Sequence, residues 1–258
     1  MKLLKVILRV NLLTELAYRT NLWIQVSESG AHFLLSILGV LLVFSHTQSL
    51  NGWNQHELIA LVGVFFWIGG MIGFLIRPSL ERFMQDIHKG TLDFILLKPV
   101  DAQLMISIQR LEIWKLIDVV LGGSLIVYAM YQLNQGLEPW HLLYFGLAMG
   151  TGFLIVYAFW IILATLAFWL VRVDNLLVIF ESMYEAGRWP VTIYPGWLRM
   201  ILTFIIPIAF ATTVPAQALV GRLNPSVLIG AGILGVGLLI VARVFWKFGI
   251  KHYTGASA

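Results

Sequence analysis

The sequence predicts an all-α membrane protein with six transmembrane helices, and three observations support this fold class. Of the 258 residues, 59% are hydrophobic and 12% are charged, whereas soluble domains carry about 25% charged residues. Apolar segments of about 20 residues, enough to cross the roughly 30 Å hydrocarbon core, recur along the chain. Lysine and arginine gather on one side of the resulting topology. We therefore expect a single membrane domain over residues 1–258.

The first element is an interfacial helix at residues 1–20. Lys2, Lys5 and Arg9 alternate with leucine and isoleucine at helical spacing, which is typical of a basic amphipathic helix lying on the membrane surface. Polar residues from Asn11 onward interrupt the apolar run that a cleavable signal peptide requires. We expect this segment to be retained.

Six apolar segments follow as predicted spans. The fourth is long enough that it must tilt or bend, and Pro207 is expected to bend the fifth. The predicted spans are Phe33 to Phe44 with flanks from Leu22, Leu58 to Ile76, Ile113 to Leu133, Leu142 to Val171, Leu198 to Val220 and Val227 to Trp246.

Six spans place both termini on the same side of the membrane as two polar connections, Arg77 to Asp101 and residues 172–197. Arg222 is the only one of the 17 Lys and Arg residues that this topology puts on the opposite side. Because positive residues are retained in the cytoplasm, we expect both termini to be cytoplasmic, in a bacterial plasma or inner membrane.

The polar connection from Arg77 to Asp101 is predicted to form an elbow. Its first half carries apolar residues on one face of an amphipathic helix. These are Leu80, Phe83, Met84 and Ile87. Gly90 is expected to end this helix, Thr91 to cap a second short helix with Asp93 in its first turn, and Pro99 to stop that helix.

Two interpretations of the elbow are open from this pattern alone. Its apolar face could lie on the bilayer or pack against the chain's own spans, or the elbow could be a docking surface for another protein. The chain lacks the Gly-x-x-x-x-Gly-Lys-Ser/Thr loop, so we do not expect it to bind ATP. The absence of cysteine excludes disulfides and thiolate metal sites.

The elbow resembles a signature of type-two ABC exporter permeases. Gly90-Thr91-Leu92-Asp93, followed by Leu96-Leu97-Lys98-Pro99-Val100, is similar to that family's Gly-Thr-Leu-Glu and Leu-Leu-x-x-Pro-Val pattern. The resemblance implies a permease subunit whose cytoplasmic elbow contacts a separate ATPase subunit. The residues implied in that contact are Asp86, Gly90, Thr91, Leu92, Asp93, Leu97 and Pro99.

The same resemblance implies the partners and the cofactors. A second permease subunit, identical or related, is expected beside this one, together with membrane lipid and no nucleic acid. ATP and Mg are expected on the ATPase, with no cofactor bound by this chain. The implied substrate is amphipathic, and lipid-like or drug-like.

The second half of the chain extends the resemblance to one little-described branch of these permeases. The matching segments are Trp189 to Pro195, Ile206 to Phe210 and Val214 to Ala216. Asp174 is predicted to cap a surface helix that leads into the fifth span. Because Pro207 frees backbone carbonyls within that span, we expect a segment that faces the pathway. The candidate pathway or hinge residues are Thr203, Pro207, Thr212, Thr213, Pro215 and Gln217.

Asp118 is an ionisable residue near the cytoplasmic end of the third span. It is either a relay or substrate contact, or half of a structural ion pair with Lys115 or a loop arginine. The spans carry few other charges. A secondary carrier or channel would predict inverted repeats or charged pore residues, and an intramembrane enzyme would require a nucleophile with a base, or a metal cluster. The sequence pattern supports neither alternative.

Overall fold

The computed structural model describes residues 7, 9–13, 19–133, 139–170 and 174–253. Secondary structure in these residues is helical apart from an isolated bridge between Leu50 and Trp53, which confirms the all-α class. Five helical segments there are long and apolar enough to cross a membrane. They are Leu22–Phe44, Gln55–His88, Ile113–Gln132, Trp140–Phe168 and Pro225–Lys251.

The α-helices are numbered here in chain order. They are α1 (Arg19–Phe44), α2 (Gln55–Met71), α3 (Arg77–His88), α4 (Asp93–Leu96), α5 (Ala102–Ile108), α6 (Leu116–Gln132), α7 (Pro139–Thr165), α8 (Asp174–Tyr184), α9 (Gly196–Met200), α10 (Ile208–Ala211), α11 (Thr213–Leu219) and α12 (Pro225–Lys251). Two π-helical segments, Ile72–Ile76 and Ile201–Ile205, continue α2 and α9. Short 3₁₀ turns lie at Ile113–Lys115, Leu166–Phe168, Glu185–Arg188 and Val191–Ile193.

The central helix of the bundle is α2, which packs antiparallel against α6 through glycines. A Cβ atom added to Gly63 would lie 2.9 Å from Gly122 O, and one added to Gly122 would lie 2.5 Å from Gly63 O. The two backbones are therefore in direct contact, as small residues permit in membrane helix pairs. Near the other end of the pair, Gly73 packs against Lys115.

The two ends of the bundle are named here by what they carry. The loop face carries residues 45–54, between α1 and α2, and the elbow face carries α3, α4 and α5. The chain returns to the elbow face at the end of α7, where the rings of Phe168 and Phe83 lie 5.7 Å apart. α12 also ends there, since Trp246 lies 5.1 Å from Phe83.

The fifth crossing is made by residues 174–192, called here the crossing segment. At the elbow face, Glu181 Oε1 lies 3.0 Å from Arg77 Nε. At the loop face, Thr192 O accepts a hydrogen bond from Asn51 Nδ2 at 2.5 Å. The segment crosses as α8 followed by two 3₁₀ turns, because Pro190 interrupts the helix.

A bent pair of helices, Gly196–Ile205 and Ile208–Leu219, follows the crossing segment at an angle of 71°. Before the bend, Arg199 Nη2 donates to Thr192 O at 2.7 Å. After it, Arg222 Nη1 donates to a carbonyl of the loop between α1 and α2, also at 2.7 Å. Both ends of the pair therefore lie at the loop face, so residues 196–219, called here the hairpin, re-enter the bundle rather than cross it.

These contacts correct the predicted fifth span. Leu198 to Val220 does not join the two faces, although the predicted bend at Pro207 is confirmed. Arg199 joins Arg222 at the loop face, so the prediction that Arg222 is the only positive residue on that side is wrong. Hydropathy could not separate a broken span from a hairpin, because both are apolar and of similar length.

The predicted surface helix before that span is also corrected. Leu177, Phe180 and Tyr184 of α8 are buried, and the Phe180 ring lies 5.2 Å from that of Trp160. This face of the helix is thus packed against the bundle, whereas Val178 and Ile179 on the other face are exposed. The predicted cap, the side chain of Asp174, lies outside the described side chains.

The described part of the N-terminal segment is helical, in agreement with the predicted helix at residues 1–20. Ile7 is buried. Asn11 Nδ2 donates to Ile7 O at 2.9 Å, and Asn11 Oδ1 accepts from Leu111 N at 3.2 Å. The segment therefore contacts the chain just after α5; its other predicted residues lie outside the described ones.

Candidate functional site: the elbow and its links to the bundle

The first corner of the elbow is a turn at Gly90 that ends α3. Gly90 has φ +65°, a left-handed conformation that glycine adopts without steric cost. Thr91 N donates to Asp86 O at 2.8 Å, and Gly90 N donates to Ile87 O at 3.1 Å. These are the two hydrogen bonds of a Schellman motif, so the predicted helix end at Gly90 is confirmed.

The carboxylate of Asp86 holds this turn from the inside. Asp86 is buried, and its Oδ1 accepts from Thr91 Oγ1 at 2.9 Å and lies 3.2 Å from Arg82 Nε. A buried carboxylate requires such partners. The predicted cap of α4 by Thr91 is wrong, because Leu92 is the N-cap residue and the Thr91 hydroxyl donates to Asp86 instead.

The short helix α4 presents an apolar tip to the outside. Leu92 and Ile95 are buried, whereas Phe94 is 70% exposed and Leu97 81% exposed. Residues three apart share one face of a helix, so one face of α4 is anchored and the opposite face carries Phe94 and Leu97. Asp93 lies in the first turn, as predicted, where a negative charge is favoured.

The preceding helix α3 uses its apolar face for internal packing. Leu80, Phe83 and Met84 are almost completely buried, and Phe83 packs against Phe168 and Trp246. This is one of the two interpretations open from the sequence, and it holds for α3. The tip of α4 remains available for the other.

Beyond α4 the chain passes through the exposed Pro99 to Asp101, which caps α5. Asp101 Oδ1 accepts from Leu104 N at 3.0 Å. Arg243 of α12 donates to both carboxylate oxygens of Asp101, at 3.0 Å for Oδ1. These hydrogen bonds from Arg243 hold the pKa of Asp101 below its ordinary value. The second corner of the elbow is thereby fixed to α12.

Two hydrogen bonds to backbone carbonyls close the loop after α5 against the segment from Phe74 to Ser79. Ser79 Oγ donates to Arg110 O at 2.5 Å. Glu112 N donates to Phe74 O at 3.0 Å, within the π-helical segment Ile72–Ile76. A π-bulge widens the turn and changes the carbonyl ladder of the helix, and here a carbonyl of that segment is bonded from outside. Both ends of the elbow are therefore tied to the base of α2.

Arg77 links the elbow to the crossing segment. Its Nε lies 2.8 Å from Glu81 Oε1 in α3 and 3.0 Å from Glu181 Oε1 in α8. All three side chains are partly exposed. One guanidinium with several donors can hold two carboxylates at once. A displacement of α3 would therefore act directly on α8 through Arg77.

A cavity of about 210 Å³ opens beside this ion pair, between α1, α2, α6 and α8. Its walls combine aromatic rings and three glycines with charged groups of both signs. The charged or titratable residues that line it are His32, Arg77, Lys115, Asp118, Glu181 and Glu185. The sequence interpretation, which counted few charges in the spans, missed this cluster.

One further charged group, Arg188, lies next to the cavity and contacts two of its lining residues. His32 Nε2 lies 2.6 Å from Arg188 Nη2, and Arg188 also donates to Glu185. Because arginine donates and does not accept, His32 Nε2 is the acceptor in this contact. A signal was present in the sequence, since Glu185 and Arg188 are spaced i, i+3 and His32 lies within the first predicted span.

Asp118 forms the structural pair that the sequence offered as one alternative. Its Oδ2 lies 3.7 Å from Lys115 Nζ, three residues earlier. Its Oδ1 is buried without a hydrogen-bond partner. The pair with Lys115 is confirmed. Because Asp118 also lines the cavity, the other alternative, a relay or substrate contact, stays a prediction.

The predicted pathway residues lie in the hairpin. Pro207, Thr212, Thr213 and Pro215 are buried, whereas Thr203 and Gln217 are half-buried. Thr213 Oγ1 accepts from Val191 N at 3.2 Å, and the hydroxyls of Thr203 and Thr212 donate to carbonyls one turn earlier. Within one chain these groups pack the hairpin, and their role in a pathway stays a prediction.

The hairpin ends with the same motif as α3. Gly221 has φ +69°, and Arg222 N donates to Gln217 O at 2.8 Å. The turn directs Arg222 to Glu57, whose Oε1 lies 2.7 Å from Arg222 Nη2. Glu57 is buried and also accepts from Asn54 N at 2.9 Å in the capping box of α2. The hairpin is thus fastened to the start of the central helix.

A family model described as ABC-2 family transporter protein matches residues 31–257 of the chain. The matched range begins within α1 and contains the elbow, the crossing segment, the hairpin and all of α12. No curated protein and no solved structure matches the chain.

Proposed function

The chain belongs to the ABC-2 transporter family, and on that premise we propose that it is the permease subunit of an ATP-driven exporter. Hydrolysis would be carried out by a separate cytoplasmic ATPase subunit that docks on the tip of α4. The observation that carries this proposal is the exposure of Phe94 and Leu97 on a turn whose other face is buried.

The tip has the properties of a docking site. Large apolar side chains supply most of the binding energy at protein interfaces when they enter a partner's pocket. Phe94 and Leu97 are held in place by Leu92, Ile95 and the Gly90 turn, so little further ordering is needed on binding. Five of the seven residues that the family resemblance implied therefore fall into two roles. Leu97, with its neighbour Phe94, makes the contact, and Asp86, Gly90, Thr91 and Leu92 set the shape.

The orientation follows from the proposed partner. An ATPase that uses cellular ATP lies in the cytoplasm, so the elbow face would be cytoplasmic and the loop face external. The excess of lysine and arginine at the elbow face supports this orientation. Both termini would then be cytoplasmic in a bacterial plasma membrane.

The ion pairs of Arg77 support a route by which motion of the ATPase reaches the spans. A displacement of α4 moves α3, and Arg77 transfers that movement to Glu181 of the crossing segment. The crossing segment leads directly into the hairpin at the loop face. Coupling of this kind requires an element with two arrangements, and the broken crossing segment is the candidate.

We place the pathway between two permease subunits, identical or related, with an amphipathic substrate. The apolar surface of the chain and the charged cavity beside Arg77 together suit a molecule with an apolar body and a polar head. The charged cavity also favours a second candidate, a secondary carrier. ATP dependence separates the two, since a carrier would move its substrate in vesicles that lack ATP.

The docking proposal is tested by replacing the tip. The tagged chain is purified from its host in mild detergent as the wild type, Phe94→Asp and Leu97→Asp. We expect vanadate-sensitive ATP hydrolysis and the ATPase subunit to co-purify with the wild type, and both to fall more than tenfold in the variants, because interface anchors contribute about 2 kcal/mol or more.

Tyr131→Asp is the matched control, because Tyr131 is as exposed as Leu97 but lies near the loop face, at the end of α6. It should retain the ATPase. Equal retention in all four proteins would show that the tip of α4 is a solvated loop and would remove the basis of the proposal.

A further inference from the structure

An apolar cleft runs along α7, first beside α2 and α6 and then beside α5 and α12. Its half nearer the loop face has a volume of about 540 Å³ and its half nearer the elbow face about 510 Å³. Phe153 lines both halves, so the two halves adjoin at this side chain. The first half is lined by Trp67, Met71, Gly123, Ile126, Val127, Phe145, Gly146, Met149 and Gly150.

Glycines keep the first half of the cleft open. A Cβ atom added to Gly123, Gly146 or Gly150 would meet nothing within 4 Å. Val127 and Leu147, both largely exposed, lie on the two helices that form the walls. The cleft therefore opens towards the surroundings of the bundle, which in the membrane are lipid chains.

The length of the cleft matches one leaflet. Phe145 and Tyr157 mark its two ends on α7, and at 1.5 Å per residue they lie about 18 Å apart along the helix. One half of the hydrocarbon core is about 15 Å thick. A single acyl chain entering from the elbow face would fill the cleft along its length.

The end at the elbow face is polar, and because Asp101 pairs there with Arg243 and offsets its charge, the net positive charge comes from Lys247 nearby. Tyr157 Oη and Ser107 Oγ are 2.7 Å apart, and Arg243 donates to Asp101 and Gln103. Those three hydrogen bonds leave two of the five guanidinium donors for another acceptor. Lys247, one helical turn further along α12, is exposed. This end suits an anionic phosphate at the level of lipid headgroups.

We propose that the cleft binds an anionic phospholipid of the elbow-face leaflet. One acyl chain lies along Gly123, Gly146 and Gly150, and the phosphate lies beside Arg243 and Lys247. The site does not depend on the proposed ATPase or on the direction of transport. It shares no lining residue with the charged cavity at Arg77, and α8 does not line it.

The dimensions favour a lipid over a helix from a second copy of the chain. A helix segment 18 Å long and about 10 Å across occupies about 1,400 Å³, which exceeds the two halves of the cleft together. Each half is instead of the size of a small-molecule site, roughly 300–1,000 Å³. The positive end adds a charge complementarity that a neutral apolar helix would leave unused.

The test uses quenching of Trp67, which lines the cleft, by phospholipids with brominated acyl chains. The purified chain is placed in nanodiscs with increasing fractions of brominated phosphatidylglycerol, and the Trp67 signal is the difference from Trp67→Phe in each background. Gly150→Leu fills the cleft. It should raise at least threefold the half-quenching fraction, which is the fraction of brominated lipid at which half of the Trp67 signal is quenched. Gly237→Leu is the matched control, because Gly237 is an exposed glycine of α12 whose added Cβ also meets nothing.

A second variant tests the headgroup without changing the cleft. Lys247→Gln should abolish any preference for brominated phosphatidylglycerol over brominated phosphatidylcholine while leaving quenching by the latter unchanged. Equal half-quenching fractions in Gly150→Leu and Gly237→Leu would overturn the proposal, as would the absence of a headgroup preference in the wild type. A loss of dimers in Gly150→Leu with unaltered quenching would assign the cleft to a second copy instead.

Discussion

The elbow and the hairpin are both short broken-helix segments, but they are held in different ways. The turn of the elbow is closed by neighbours in sequence, as in the contact from Thr91 to Asp86. The hairpin is held by residues far away along the chain: Asn51 reaches Thr192 just before it, and Glu57 pairs with Arg222 just after it. The turn of the elbow can form as soon as its own residues are present, whereas the hairpin requires a folded bundle.

The difference indicates where each segment can move. A turn built from local hydrogen bonds keeps its shape when it is displaced, so the Gly90 turn and the tip of α4 can transmit force as a rigid unit. A segment held by distant partners changes when those partners shift relative to one another. The hairpin and the crossing segment are therefore the parts of the molecule that change conformation when the helices of the bundle shift relative to one another.

The largest expected effect is in labelling from outside the cell, and it tests whether the hairpin re-enters. The chain has no cysteine, so single cysteines can be introduced at Gln48, Lys98 and Gly196. If both ends of the hairpin lie at the loop face, Gly196→Cys should react with an impermeant thiol reagent in intact cells as fully as Gln48→Cys. Lys98→Cys at the elbow should react only after permeabilisation.

The labelling of Gly196→Cys also distinguishes the alternative, in which the hairpin is a complete span. If residues 198–220 were a span that starts in the cytoplasm, Gly196→Cys would behave like Lys98→Cys. The assignment of the fifth crossing to residues 174–192 would then be wrong.

The next effect concerns the contact between α7 and the hairpin. A Cβ atom on Gly152 would lie 2.4 Å from Phe210 O, whereas one on Gly146 of the same helix would meet nothing within 4 Å. Gly152→Ala should therefore lower the free energy of unfolding by about 1–3 kcal/mol through overpacking. Gly146→Ala should raise it by up to about 1 kcal/mol, because alanine favours the helix. Thermal unfolding in detergent measures both, and the same sign for the two variants would contradict a tight hairpin contact.

The smallest effect is expected in the elbow, where damage should stay local. Gly90→Val forces a β-branched residue into a left-handed conformation at a cost of about 1–2 kcal/mol. Hydrogen exchange at the amides of Thr91 and Leu92 should accelerate about 5- to 30-fold, with the melting temperature of the spans nearly unchanged. Lys89→Val is the control, since Lys89 has φ −89°. If the spans were destabilised as much as the elbow, the elbow would not be an independent local unit.

The features that the sequence predicted correctly are those with local causes. The helix end at Gly90, the acidic first turn of α4 at Asp93 and the bend at Pro207 each depend on a residue type and its immediate neighbours. The long spans were predictable for a related reason, since about 20 apolar residues suffice to identify each of them.

The features that the sequence did not predict depend on partners far away along the chain. Thr91 is an ordinary N-cap residue, and the buried carboxylate of Asp86 redirects its hydroxyl. The charged cavity required Arg77, Glu181 and His32 to meet from three separate helices. Nothing in local spacing brings these residues together, so the sequence indicated loops and interfaces where the structure has an ion-pair cluster.

The composition of the crossing segment constrains the order of events during synthesis. Residues 174–192 contain Glu181, Glu185 and Arg188, and each charged residue at the centre of a helix opposes membrane insertion by about 3 kcal/mol. Such a segment would not leave the translocon for lipid by itself. Its partners, His32 of α1 and Arg77 at the start of α3, are made earlier, so the segment can enter the bilayer once they are available to neutralise it. The earlier spans therefore have to be in place before the fifth crossing can insert, because they carry the groups that neutralise its charges.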